Sequence, residues 1–310
     1  MKHLRIPDFN LLTWSARLRA IPAILVCIVQ VFRGMLLADH IHLRVPGNMG
    51  LLGCLVQVMF PWKKKTAKYA GNWDWASTQP LSYRIQQRIL RSRILSQRIQ
   101  VLIYGHWPDV NRNLRPFFTA TYYEKDIVAT EPRELVDPLQ LMFVGALVEG
   151  KNPMLSIKAV QALVAKGILV VLHMFGNGPD YIKISKYVEE HQLDDIVKLY
   201  GNQPAQVVRA CFQKSHFLVF ISESEGWPKV VAESMFWGCL PITTAVSCVP
   251  EMVDHGNRGS LVGFNSEDVA NTIFEWMAKE DAYKEACQKA MEWARQFTLE
   301  KFEREIIQLL

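Results

Sequence analysis

At 310 residues the chain can hold two domains of ordinary size, each with its own core. Half of the residues are apolar and 21% are charged, which excludes a disordered or fibrous chain. The net charge of +5 is mild, and nucleic acid is not an expected partner.

The six cysteines, at 27, 54, 211, 239, 248 and 287, form no C-x-x-C pair. Several lie in apolar stretches, so buried reduced thiols are expected rather than a disulfide framework or a zinc site. The cations are unevenly spread. Lys63, Lys64, Lys65, Lys68, Arg84, Arg88, Arg91, Arg93 and Arg98 fall between residues 60 and 100, with Asp74 the single acid. Such a patch is either a solvated helix face or a surface that attracts phosphates, an anionic membrane or, by charge alone, nucleic acid.

In chain order, AIPAILVCIVQVF (20–32) is too short to span a bilayer, carries Pro22 and Gln30, and is closed by Arg33. Arg17 and Arg19 precede it as in a signal peptide, but no small-x-small cleavage site follows. A buried helix is expected, with a helix lying on a membrane as the alternative. HIHLRV (40–45) reads as a strand, MGLLGCLVQVMF (49–60) as a helix and TAKYAGN (66–72) as a second strand. LSYRIQQRILRSRIL (81–95) is a helix with Ile85, Ile89 and Leu90 on one side, and QVLIYG (100–105) is a third strand.

EKDIVATEPRELVDP (124–138) is polar and carries prolines, which marks a domain boundary. Beyond it come strands LQLMFVGA (139–146), ILVVLHMFG (168–176), IVKLYG (196–201), FLVFIS (217–222) and LPITT (240–244). Helices are predicted over 153–166, 180–191, 204–213 and 228–238, and then over 266–279, 281–297 and 299–310. Apolar strands separated by helices predict parallel βαβ units covered on both faces. The predicted fold is α/β, with doubly wound parallel-sheet domains over 1–137 and 138–295. A C-terminal helix in 296–310 is available to pack back on the first domain.

Such sheets bind ligands beyond the carboxyl ends of their strands. That rule selects Gly145 to Lys151, Gly176 to Asp180, Gly201 with Asn202, Ser222 to Lys229, and Thr243 to Glu251. FGNGPD (175–180) lacks the third glycine of a dinucleotide fingerprint, since Tyr181 stands there, and there is no Walker A motif. No D-x-D carboxylate pair occurs, so neither a metal-bridged diphosphate nor any other cofactor is expected. Lys151, after a strand and before a helix, either steers a phosphate or is a solvated lysine.

SESEGWPKVVAES (222–234) places Glu225 before a helix and Glu233 inside it. Pro228 suits the first helical position. The five residues up to Glu233 then rise about 7–8 Å, too far for both carboxylates to act on one atom. They can instead hold two ends of an extended polar ligand, with an anion at the amides of the first turn. Lys229 opposes the helix dipole there, which makes sense if an anion shares the site; otherwise its side chain swings into water.

From about 139 to 263 the chain resembles the donor-binding half of the retaining glycosyltransferases of family 4, of GT-B fold. FVGALVEGK, FGNGPD, KLYGN, SESEGWPKVVAES with its E-x7-E pattern, and PITTAVSCVPEMV fall in family order. The resemblance implies two Rossmann-like domains and an enzyme that moves a sugar from a nucleoside diphosphate to a glycan or lipid-linked acceptor hydroxyl. Retention, metal independence, a hexosyl donor, polysaccharide biosynthesis and a cytoplasmic or peripheral membrane location follow from the same resemblance. By it, Glu225 binds donor-sugar hydroxyls beside the amides of Gly226 and Trp227, Glu233 binds the ribose, and Lys151 the diphosphate. Gly176 leaves room for the nucleotide and Gly201 lies near the base.

Three departures stand out. Ala146 occupies a position where the family has arginine, and Lys229 is the expected substitute, catalytic with Glu225 and Lys151. Pro228 replaces a common glycine. The first glycine of the chain is Gly34, so the family's glycine-rich opening loop is missing. The N-terminal domain is therefore expected to be incomplete, with an exposed sheet edge. Acceptor-side candidates there are Arg44, Asn72 and His106, with Asn48 and Trp73 near them. Arg84, Arg88 and Arg91, at helical spacing, would face a lipid diphosphate or an anionic membrane. The alternative function is an inactive remnant or a nucleotide-sugar-binding protein without turnover. A nucleotide-dependent oxidoreductase or epimerase is disfavoured by the missing fingerprint.

Overall fold

The computed structural model describes residues 14–108 and 111–309, and for 14–20 the backbone alone. The chain divides into two compact units, Met1–Phe118 with Ile306–Leu310, and Thr119–Glu305.

The first unit begins with helix α1 (Trp14–Leu37), followed by β1 (His40–Val45), α2 (Asn48–Val56), β2 (Lys64–Tyr69), α3 (Leu81–Arg91), β3 (Ile99–Tyr104) and β4 (Leu114–Phe117). The strands form a parallel sheet in the order β1-β2-β3-β4. Its core gathers Leu43, Val45, Ala67, Tyr69, Val101 and Ile103 from the strands and Cys54, Ile89 and Leu90 from the helices. Strand β4 escapes sequence reading because it is four residues long and contains Pro116. Proline, which has no N–H to give, is tolerated on an edge strand such as this one.

Two expectations change in this unit. Helix α1 is not a buried helix. Cys27 and Met35 are buried and Ile28, Val31 and Phe32 pack on the core, but Ile21, Leu25, Val29, Leu36 and Leu37 are exposed on the opposite side. Arg17 and Arg19 lie outside the residues whose side chains are described. The basic patch is also smaller than its residue count. Lys63 donates to the carbonyls of Met35, Leu36 and Ala38 at the end of α1, where unpaired carbonyls need donors. Lys65 is buried and donates to the Gln57 and Phe60 carbonyls, and burial holds its ammonium down at about 8. Arg98 donates to the Trp62 carbonyl.

The second unit runs β5 (Leu139–Val144), α4 (Pro153–Ala165), β6 (Val170–Phe175), α5 (Tyr181–Glu190), β7 (Val197–Gly201), α6 (Ala205–Phe212), β8 (Phe217–Phe220), α7 (Lys229–Phe236) and β9 (Leu240–Thr244). It continues through α8 (Val249–Met252), β10 (Ser260–Val262), α9 (Ser266–Met277) and α10 (Glu280–Ala294), and the last helix is α11 (Leu299–Ile307). Six parallel strands lie in the order β10-β9-β8-β5-β6-β7. Strands β8 and β9 are buried throughout, as strands covered on both faces must be. The core joins Leu141, Phe143, Leu172, Phe217 and Ile242 to Ile157 and Val160 of α4 and Ile273 of α9.

This unit starts at Thr119, ahead of the expected boundary at 138. The reason is that the polar 119–138 segment is fastened to helices of the second unit. The Tyr122 ring lies 4.7 Å from that of Phe236, Asp126 pairs with Arg209, and Arg133 donates to the Trp237 and Gln213 carbonyls. All six cysteines are free, and all but Cys211 are buried.

Candidate functional site

In the second unit the strand order reverses between β5 and β8, and open parallel sheets bind ligands at such a reversal, outside the carboxyl ends. The loops leaving these two strands are joined there. The Glu223 amide donates to the Gly150 carbonyl at 3.0 Å, and the Asn152 side chain donates to the Ile221 carbonyl at 3.2 Å. Between these ties Lys151 forms an ion pair with Glu225. The two side chains are 24% and 12% exposed, so the pair is largely withdrawn from water. The Lys151 ammonium also lies 5.0 Å from the centre of the Phe220 ring.

Helix α7 starts one residue later than expected: Pro228 is its N-cap, Lys229 its first helical residue, and no side chain caps it. The first amides of a helix have no partner within it, and this end of α7 follows directly on the loop that carries Glu225. Lys229 is exposed at this end. Glu233 follows in the second turn and accepts a 2.8 Å hydrogen bond from the Thr121 hydroxyl. Burial raises the pKa of Glu233, against the opposing effects of the Thr121 bond and the Lys229 charge. Glu225 and Glu233 thus have different partners.

The loop between them is pinned from below. Ser222 is buried and its carbonyl accepts the Thr244 hydroxyl at 2.5 Å. The Gly226 carbonyl accepts the Ser247 hydroxyl at 2.8 Å. The Trp227 ring stacks 6.0 Å from that of Trp293 on α10 and meets Phe297 edge-on, which anchors its side chain.

The glycines of the first two motifs meet each other. A Cβ on Gly176, whose φ is 132°, would come within 1.8 Å of the Gly145 carbonyl oxygen. One on Gly178 would come within 2.3 Å of the Leu147 carbonyl oxygen. FGNGPD is therefore pressed against the FVGALVEGK loop, and Gly176 has a nearer constraint than room for a nucleotide. Gly201 has φ 63° with open space around it, and Asn202 beside it is exposed. Ala146 is exposed on the β5 loop.

In the first unit, Arg44 is exposed on β1 and His106 is exposed after β3. The Asn72 side chain accepts the Asp74 amide at 2.9 Å, which shapes a turn. The structure joins these three acceptor-side candidates by no hydrogen bond among themselves. Among the described residues no group of three His, Cys, Asp or Glu is placed to hold a metal. Sequence reasoning missed Thr121 and Asn152, and gave no individual role to Glu223 and Ser247 inside the loops it selected. Each acts through a neighbour brought close by the fold.

Two parallel-sheet α/β units with this crevice define the GT-B class of glycosyltransferases. The chain superposes on HepE of Anabaena, solved with UDP and glucose, with a TM-score of 0.71 at 15% identity, covering 98% of this chain and 84% of that one. TarM gives a TM-score of 0.70 at 16% identity over 93% and 58%. The family described as glycosyl transferases group 1 matches residues 127–296, and the chain belongs to that family. WcaL of Salmonella typhimurium, named for colanic acid biosynthesis, is 29% identical over 134 residues, 41% of this chain and 33% of that protein. The N-acetyl-alpha-D-glucosaminyl L-malate synthase of Bacillus anthracis is 30% identical over 46% of this chain and 36% of that protein. The chain spans about a third of the length of these curated relatives. No helix among the described residues is long and apolar enough to cross a membrane.

Proposed function

We propose that this chain is a retaining glycosyltransferase of the family 4 type. It moves a hexose from a nucleoside-diphosphate sugar to a hydroxyl of a glycan or lipid-linked acceptor in polysaccharide biosynthesis, and needs no metal. The observation that carries the reading is the Lys151–Glu225 ion pair at the crevice between β5 and β8. The two charges satisfy each other. A diphosphate draws Lys151 away, and the freed Glu225 carboxylate accepts hydrogen bonds from hydroxyls of the donor sugar. The ribose hydroxyls go to Glu233.

As the anomeric C–O bond breaks, negative charge grows on the departing phosphate oxygen. Lys151, the first amides of α7 and Lys229 stabilise that charge, and a single such donor supplies about 2.7–4 kcal/mol. Lys229 takes the part left open by Ala146. The acceptor proton goes to the departing phosphate oxygen, and the hydroxyl attacks from the face that oxygen leaves, with retention. WcaL's name and the UDP and glucose held by HepE support the reading.

The acceptor's carrier is an anionic bilayer surface on the cytoplasmic side. Supporting this are the exposed apolar face of α1, with Arg33 on it, and exposed Trp62, Met59, Arg84 and Arg88. Release from anionic vesicles at high salt is expected; salt-independent behaviour counts against it.

A nucleotide-sugar-binding protein without turnover is the second reading, favoured by Ala146. Saturation-transfer NMR against nucleotide sugars, followed by an assay of sugar transfer and donor hydrolysis, separates the two. Binding with turnover is expected. Binding with neither transfer nor hydrolysis leaves the second reading, and no binding defeats both.

A further inference from the structure

The first unit contains a cavity of about 370 Å³ that no part of the donor reaction uses. It lies between the loop after β2 (Trp73, Asp74, Trp75, Ala76), α3 (Gln87, Arg91) and the segment after β3 (Trp107, Pro108). Three indoles, those of Trp73, Trp75 and Trp107, stand around it.

We infer that this cavity is a glycan-binding subsite in which a pyranose ring stacks on Trp75, with Asp74 placed for its hydroxyls. The three tryptophans have different duties. Trp73 is 7% exposed and meets Tyr69 edge-on at 4.8 Å, so it is part of the core. The Trp107 indole N–H donates to the Tyr104 carbonyl at 2.7 Å, which fixes that ring. Trp75 is 42% exposed, and the Arg88 guanidinium lies 5.8 Å from its ring centre. A cation on one face of an indole leaves the other face for a ligand. The C–H face of a sugar ring carries slight positive charge and matches the negative face of the indole.

The polar groups favour a sugar over a phosphate. Asp74 is held in place because one of its oxygens accepts the Ala76 amide at 2.9 Å. A fixed carboxylate repels a phosphate but accepts sugar hydroxyls. Gln87, buried in the wall, donates to the Asn72 and Trp73 carbonyls and fixes the loop that carries both Asp74 and Trp75. The volume is at the low end of the roughly 300–1,000 Å³ of small-molecule pockets, enough for a ring or two. That the glycan is the acceptor rests on the function proposed above; that the pocket binds a sugar does not.

The test uses the full chain and the methyl glycosides of glucose, galactose, N-acetylglucosamine and rhamnose, with UDP as an independent ligand. Saturation-transfer NMR should show at least one glycoside bound. Trp75→Ala and Asp74→Asn should each weaken it about tenfold or more while UDP binding is unchanged, which also shows that the variants fold. Asp74→Asn keeps an oxygen for the Ala76 amide, so its effect reads the lost charge. If no glycoside binds the wild-type chain, or if both variants bind as the wild type does, the inference is overturned. Glycoside binding without UDP binding would uphold the pocket and remove the donor site.

Discussion

The β5/β8 crevice and the tryptophan-lined cavity are both concave sites on parallel sheets, yet they are built in opposite ways. The crevice is polar, and its charged groups have partners within the chain: Lys151 with Glu225, and Glu233 with the Thr121 hydroxyl. The cavity sets three indoles beside Asp74, whose carboxylate is held by the Ala76 amide. A charge withdrawn from water must find a partner, so a site for a charged ligand carries an internal stand-in for it. On the proposed function, binding at the crevice is an exchange of partners, whereas binding at the cavity is a filling of space.

The largest expected effect follows from that exchange. Lys151→Ala or Glu225→Ala should lower sugar transfer by roughly 10²–10³. Lys151→Ala should also lower the melting temperature, since it strands a mostly buried carboxylate, whereas Trp75→Ala should leave it nearly unchanged. Equal melting losses in the two variants would erase the contrast between the sites. Next in size is Gly176→Ala, whose methyl would collide with the Gly145 backbone at the crevice. A loss of about 2–4 kcal/mol is expected in denaturant unfolding. Gly201→Ala, with a left-handed φ but open space, should lose about 1–2 kcal/mol.

A smaller effect concerns pH. Burial raises the pKa of Glu233, and only its ionised form can accept two ribose hydroxyls. A proton therefore competes with the nucleotide, and affinity should fall with decreasing pH sooner than for an ordinary carboxylate near 4.3, by about tenfold per unit below the pKa. Titrations of UDP at several pH values read this, and Glu233→Gln should flatten the profile. Lys229→Ala should have the smallest effect, about tenfold on turnover, because its side chain is exposed. Unchanged turnover would remove it from the phosphate site.

The legible and illegible parts of this molecule differ for physical reasons. The strand Leu240–Thr244 lies at its expected residues because a near-continuous buried run has few other solutions, and His40–Val45 does so because its apolar residues alternate. The Glu225–Glu233 relation is local, so helix geometry alone separates them. The Lys151–Glu225 pair spans 74 positions, and it exists because β8 returns to lie beside β5. The cavity joins residues from 73 to 108 across three elements, with no spacing that announces it. The basic patch misleads for a related reason. Lys63, Lys65 and Arg98 look like surface charge in the sequence, but each is engaged by backbone carbonyls.

The account rests most directly on the claim that Lys151 exchanges Glu225 for a diphosphate. Calorimetric titration of UDP, which carries no sugar for Glu225 to hold, tests it. Lys151→Ala should weaken UDP binding about 10- to 100-fold, as expected for the loss of charge-assisted hydrogen bonds. Glu225→Ala should bind UDP as tightly as the wild-type chain or more tightly, because Lys151 no longer has to leave a partner. If Glu225→Ala weakens UDP as much as Lys151→Ala does, or if Lys151→Ala changes nothing, the exchange does not occur.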